Sequence, residues 1–448
     1  MLPIRRFVIG LIAAILAILT GALPVLALDK PGVNPGDTAF IMVSAALVLL
    51  MTPGLALFYG GMVRRKNVMS ILMQCFAVMA LVSVQWILFG YTLSFGPDVH
   101  HLIGGLQWLG HAGVGMEPNP DYAATIPASV FSMFQLMFAI ITAGLIIGAV
   151  AERMKFSMFV IFILLWTTFI YDPLAHWVWG VNGWIRNLGA LDFAGGTVVH
   201  ISSGISGLVA AVFLGRRLGY GKEPILPHNL PLTILGAGLL WFGWFGFNAG
   251  SALGANGLAG HAFMVTNTCA AAGALSWMLA ECIHQGKPTS LGLVSGAVAG
   301  LVMITPAAGY VTPLSAVIMG LLVSPVCYLA VAKAKEKFGY DDSLDAFGIH
   351  GVGGTLGALA TGVFATVAVN PAGANGLLYG NWKQVFIQLA AVLATYAFAG
   401  IGTWLILNGL SRFGAVRASE EEEEAGLDRS MHGEDGYRFM ELGSTRAS

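Results

Sequence analysis

Leu191 to Gly207 reads LDFAGGTVVHISSGISG, and this stretch decides how the rest of the chain is built. An acidic residue opens an apolar run, a glycine-rich turn follows, and eight residues after Asp192 comes His200, deep in what reads as a membrane helix. Ionisable side chains at bilayer depth are costly, so one retained there marks a candidate functional site. The chain repeats the device: His350 heads a second glycine-rich segment, FGIHGVGGTLGALATG. Gly204, Gly207 and Ala210 follow the first histidine, and Gly354, Gly357 and Ala360 follow the second at the same offsets. Each set falls on one helix face, and such small stripes let helix backbones approach closely. The two histidines are expected to line one path.

Composition agrees with a membrane setting. Of 448 residues, 56% are hydrophobic and 10% charged, whereas charged residues make up about a quarter of a typical soluble chain. The net charge of −1 gives no footprint for nucleic acid. Cys75, Cys269, Cys282 and Cys327 all lie in apolar runs without metal-ligand spacing, which reads as buried free thiols.

Residues 1–27, with Arg5 and Arg6 before an apolar run and Val25-Leu26-Ala27 at its end, read as a cleaved signal peptide. Residues 28–412 form the membrane domain and 413–448 a cytoplasmic regulatory tail. Apolar segments near 38–62, 68–95, 126–150, 156–173, 197–214, 230–251, 262–284, 291–305, 313–332, 346–368 and 384–411 predict an all-α integral membrane fold of eleven transmembrane helices. Alternate loops carry twelve basic residues, Arg64 to Lys66 and Arg216 and Arg217 among them, against three (Lys30, Arg186, Lys383) on the other side. That asymmetry predicts a mature N-terminus outside and a C-terminus inside the cytoplasmic membrane. The histidines are five spans apart, so spans 1–5 and 6–10 read as inverted repeats with an eleventh helix added, and in such folds the substrate path lies at the repeat interface. In the tail, Glu420 to Glu424 read as a solvated acidic run, while Gly426 to Tyr437 mix turn residues, charges and an aromatic in a way suited to docking on the cytoplasmic face.

The chemistry follows from the residue types. Two neutral imidazoles in an apolar passage can share a hydrogen bond and leave other edges for a small polar solute. No further ligand stands near them at metal-site spacing, and no nucleophile–base pair suggests an enzyme. Asp192 is placed to cap its helix by accepting backbone N–H groups, with a secondary electrostatic pull on cations. Phe134, Gln135 and Phe138 in the third span, Trp179 in AHWVWG, and Trp244, Phe247 and Ser251 in LLWFGWFGFNAGSA suggest a cage in which rings hold a small cation and a hydroxyl accepts one hydrogen bond.

At these residues the chain resembles the ammonium transporter (Amt/Mep/Rh) family, and its bacterial Amt branch more than the Rh branch. The motifs are DFAGGTVVH (192–200), WFGWFGFNAGSA (241–252), FGIHGVGG (347–354), GLIIGAVAER (144–153) and GLDRSMHGEDGY (426–437), and the resemblance covers the mature chain. It implies a homotrimer of eleven-helix subunits, each with its own pore. By motif, Phe138, Trp179 and Ser251 would recruit ammonium at the outer side, and Phe138 and Phe247 would gate the path. His200 and His350 would be the twin pore histidines, Asp192 a structural residue, and Phe134, Gln135 and Trp244 the vestibule surround. The loop VNGWIRNLGAL between Trp179 and Asp192 is longer than the short glycine-rich linker expected of the family. The implied substrates are ammonium or ammonia, with methylammonium as analogue, and the implied partner is a PII-type regulator at the cytoplasmic face. The alternatives weighed are an ammonium sensor working through a separate partner and an Rh-like carbon dioxide channel.

Overall fold

The computed structural model describes residues 32–437; the expected leader at 1–27 lies outside them. Among the described residues, ten helices are long and apolar enough to cross a membrane: α1 (Pro35–Met62), α2 (Arg65–Phe95), α3 (Ala128–Val150), α4 (Phe156–Leu188), α5 (Gly196–Leu214), α6 (Leu230–Gly250), α7 (Gly257–Gln285), α9 (Pro313–Phe338), α10 (Phe347–Phe364) and α11 (Lys383–Ser411). Between α7 and α9 lies α8 (Ser290–Ile304), apolar but only 15 residues long. That is roughly 22 Å of helix, against a hydrocarbon core of about 30 Å. Eleven apolar segments were expected, and ten have full spanning length.

Side chains in the helices' own turns start them. Asn34, Asn229 and Asn256 accept the N–H three residues ahead at α1, α6 and α7, and Thr289 and Thr312 do so at α8 and α9. Large apolar side chains on the outer helix faces, such as Phe76, Leu235, Leu279 and Leu393, are exposed, as suits contact with lipid.

The fourth span extends well beyond the 156–173 expected of it. Asp172-Pro173 looks like a stop, but a π turn at Thr167–Tyr171 precedes the proline, and the helix resumes with Pro173 in a first turn, where a missing N–H costs little. The Asp172 carboxylate is buried and satisfied by Gln85 Nε2 (2.6 Å) and Ser94 Oγ (3.3 Å). The extension carries Trp177 and Trp179 out to a turn at 180–183. Two short hairpins, pairing 98–99 with 103–104 and 118–119 with 123–127, cover the molecule at that end, called here the loop end.

At the opposite, tail end, a buried ionic cluster joins four elements. Glu152 accepts from Arg64 N (2.6 Å) and Arg64 Nε (2.7 Å). Arg217 binds Asp341 through Nε (2.9 Å) and Nη2 (2.8 Å). The tail closes over this cluster. Its acidic run is not simply solvated: Glu420–Ala425 is a short helix, α12, with a capping box from Ser419 and Glu422. Glu423 points inward, accepting from Arg417 Nε (2.6 Å) and Leu218 N (3.1 Å). These two donors, one of them charged, offset part of the cost of burying the carboxylate. Beyond α12, Asp428 accepts from Ser70 N at the start of α2 (2.8 Å), and the Tyr437 hydroxyl meets His228 Nε2 (2.9 Å).

The two halves cross at the histidine helices. A Cβ on Gly204 would run into the backbone of Gly351, and one on Gly354 would lie 2.9 Å from His200 Cβ. Glycine is required at Gly204 because the other backbone occupies its side-chain space, and at Gly354 because the His200 Cβ does.

Candidate functional site

Both histidine helices open on a carboxylate and a π turn. Asp192 accepts four backbone N–H groups: Gly195 and Gly196 on one oxygen (2.7 Å each), Thr197 (2.8 Å) and Val198 (3.2 Å) on the other. Gly195, at φ +112°, makes the turn between them. The π turn Gly196–Ile201 then presents His200. In the second half, Asp342 accepts Ala346 N (3.1 Å), Phe347 N (2.8 Å) and Gly348 N (3.4 Å), and the π turn Phe347–Gly351 presents His350. π turns are rare and often mark sites of function. Asp342 was not singled out from sequence, although it precedes His350 by the same eight residues that separate Asp192 from His200.

The helix crossing brings the histidines together. Their Nδ1 atoms are 3.3 Å apart and their rings lie 22° from parallel. One Nδ1 must donate and the other accept, so the two neutral imidazoles hold opposite tautomers. One therefore offers an Nε2–H and the other a bare Nε2. Trp244 and Phe247 stack on His200 at 5.4 Å and 6.1 Å between ring centres. Trp244 is itself fixed by Nε1 donating to Thr305 Oγ1 (2.9 Å).

Toward the loop end, the Phe138 and Phe247 rings stack 4.3 Å apart and close off the histidines. Phe134 meets Phe138 edge-on at 5.0 Å, as does Trp179 at 5.8 Å. Beyond Phe138 opens a vestibule of about 660 Å³ lined by Gln135, Phe138, Trp179, Asp192 and Ser251. Trp179 Nε1 donates to the Asp192 backbone carbonyl (2.9 Å), so the longer loop still returns its tryptophan to the residue that caps α5. Ser251 Oγ donates to Phe247 O (2.9 Å), which leaves its lone pairs available to a donor in the vestibule. Gln135 Oε1 is buried without a partner among the described residues.

On the other side of the phenylalanines lies a narrow chamber of about 10 Å³, lined by His200, His350, Trp244, Phe247 and aliphatic side chains. His350 also lines a third cavity, of about 220 Å³, at the tail end. Vestibule, phenylalanine pair, chamber and tail-end cavity thus follow one another, and all ten side chains singled out from sequence stand along this line or directly support it.

A family model, the Ammonium Transporter Family, matches residues 39–437. The chain belongs to that family. Similar members include the ammonium transporter of Bacillus subtilis, 57% identical over 403 residues that cover 90% of this chain and 98% of the relative. Ammonium transporter Amt1 of Archaeoglobus fulgidus is 47% identical over 90% of this chain and all of its own. Among solved structures, Saccharomyces cerevisiae Mep2 superposes with a TM-score of 0.82 at 37% identity, covering 87% of this chain and 89% of Mep2. A structure described as a sensor Amt protein gives 0.81 at 29% identity, covering 88% of this chain and 97% of that one. Family membership makes ammonium the substrate and a membrane the setting of this helical fold.

Proposed function

We propose that the chain takes up ammonium at the loop-end vestibule and passes it as ammonia between His200 and His350. The ion would rest against Phe138, Trp179 and Ser251, with the rings facing its charge and the hydroxyl accepting one hydrogen bond. It would lose its proton at the Phe138–Phe247 gate. The observation that carries this reading is the chamber of about 10 Å³ behind the gate. A cavity of that size holds about one water-sized molecule. A hydrated ion does not fit it, and a bare ion there would be several kcal/mol or more above one in water. A neutral solute that donates and accepts hydrogen bonds matches the opposite tautomers of the histidines. Potassium has no proton to shed and is excluded on the same ground.

In this reading the vestibule faces outward and the tail lies in the cytoplasm, with α8 and its flanking turns completing eleven crossings in the cytoplasmic membrane. The assembly is a homotrimer, and the tail face with its basic loops receives a PII-type regulator. Uptake of labelled methylammonium, competed by ammonium, tests the transport step. A His200→Ala variant that still carried fully ammonium-selective flux would remove the histidines from the mechanism, and net current across proteoliposomes reports whether the proton crosses as well. The likeness to a sensor Amt protein supports a second reading, in which the same path serves detection. A reconstituted protein that binds ammonium with no flux would favour it. A carbon dioxide channel has no use for the cation-facing rings.

A further inference from the structure

The tail-end cavity beneath His350 has a wall whose chemistry the path above leaves unused. Glu281, near the end of α7, is 5% exposed, and among the described residues it has no ion-pair partner. Its carboxylate accepts from Thr289 N (2.7 Å) and from the Thr289 hydroxyl (3.0 and 3.1 Å to the two oxygens). A carboxylate has about four acceptor positions, so capacity remains. Trp277, one turn earlier on the same face of α7, is 4% exposed, and its indole N–H meets no acceptor among the described residues. Buried indole N–H groups ordinarily have a partner. Tyr328 of α9 sets its ring edge-on to Trp277 at 5.6 Å, with its hydroxyl held by Gln285 Nε2 (2.9 Å) and His284 Nδ1 (2.7 Å). Trp277, Glu281, Tyr328 and His350 all line the cavity of about 220 Å³. Buttressing Thr289 at the start of α8 accounts for part of Glu281's bonding, but it makes no use of the indole N–H.

We propose that Trp277, Glu281 and Tyr328 form an exit site on the tail side of the histidines, where ammonia is received and leaves as ammonium. This rests on the transport reading above. Ammonia has one lone pair and three N–H bonds, so Trp277 Nε1–H donates to its nitrogen while its own N–H groups face Glu281. A hydronium ion from the solvent on that side then gives its proton to the lone pair, a fourth N–H bond forms, and water is left. With the lone pair gone, the indole N–H has nothing to donate to and repels the new charge. The ion moves to the Glu281 carboxylate beside the faces of Trp277 and Tyr328. Protonation thus shifts the solute from the donor to the acceptor and disfavours its return.

The test is methylammonium flux through the full-length protein in proteoliposomes, run into and out of the vesicles with the opposite side initially empty. Glu281→Gln keeps an acceptor for Thr289 and loses the charge. Trp277→Phe keeps a ring and loses the N–H. For flux started from the tail side, the half-saturating concentration is expected to rise about tenfold in Glu281→Gln and about threefold in Trp277→Phe, with less than a twofold change from the loop side. Equal changes from both sides, or none from the tail side in either variant, would overturn the exit site. A wild-type protein without flux in either direction would instead overturn the transport reading. Should Glu281→Gln lose its fold in a thermal melt, Trp277→Phe still decides.

Discussion

The starts of α5 and α10 are built alike and placed in different company. Each has a carboxylate eight residues ahead of a histidine, a π turn, and a glycine where the other helix crosses it. Asp192 takes four backbone N–H groups and sits behind Trp179, with no ion-pair partner among the described residues. Asp342 takes three and has Asp345 and Lys335 nearby, themselves paired at 2.8 Å. His200 is sealed between Trp244 and Phe247, whereas His350 also lines the tail-end cavity. The internal repeat therefore supplies geometry, and the elements packed around each copy decide what that geometry is used for. At the loop end the carboxylate is bonded to backbone N–H groups; at the tail end it belongs to a charged neighbourhood.

The harshest way to break this comparison is to remove each cap. Asp192→Ala orphans four N–H groups and should cost about 4 kcal/mol, and Asp342→Ala, with three, about 3 kcal/mol. Thermal melts in detergent read the order, and a larger loss at Asp342 would reverse the assignment of scaffold and charged site. Next come the crossings: Gly204→Ala and Gly354→Ala should each cost about 1–3 kcal/mol by overpacking. Because Gly354 abuts His200 and Gly204 abuts the backbone of His350 and Gly351, each substitution should cut methylammonium uptake by more than its melt suggests.

A subtler contrast lies in pH. Burial first, then the charge of Asp345, pushes Asp342 up to about 6, against the opposing pull of Lys335 and the N–H groups of Phe347 and Gly348. A carboxyl with a raised folded-state pKa binds its proton more tightly when folded, so its contribution is present at low pH and lost as pH rises from about 4 to about 6. Melting temperatures of Asp342→Asn should accordingly gain on wild type across that window, while Asp341, held low by Arg217 despite its burial, works in the opposite sense. The smallest effect belongs to the tail. Tyr437→Phe removes the bond to His228 and should cost roughly 0.5–1 kcal/mol, visible as faster protease cutting after α12 with an unchanged melt.

Much of this arrangement is legible in the residues, and the failures have physical causes. The small residues after each histidine announce the crossing, because only backbones that touch need them at matching positions on both helices. Asp342 hides in DDSLDAF, where three carboxylates within five residues blur the one that caps; the repeated eight-residue spacing is the signal that separates it. The length of α4 is obscured by Asp172-Pro173, a helix stop in water that a π turn and two buried polar partners make harmless. Glu423 is lost among its neighbours for want of any sequence mark of Arg417 and Leu218, which reach it only through the tertiary fold. The shortness of α8 is legible, since the segment expected at 291–305 matches Ser290–Ile304 and stops at Thr305-Pro306.

The reciprocal crossing has a consequence for how the molecule is made. His200 reaches its final surroundings only when a residue 150 positions later arrives beside it. Contacts so distant along a chain form late, since closing the intervening loop must precede any gain from them. The first five helices can insert and associate while their future passage still has one wall missing. Synthesis of the second half then finishes it, so a chain truncated before His350 is left with one imidazole and no partner for it.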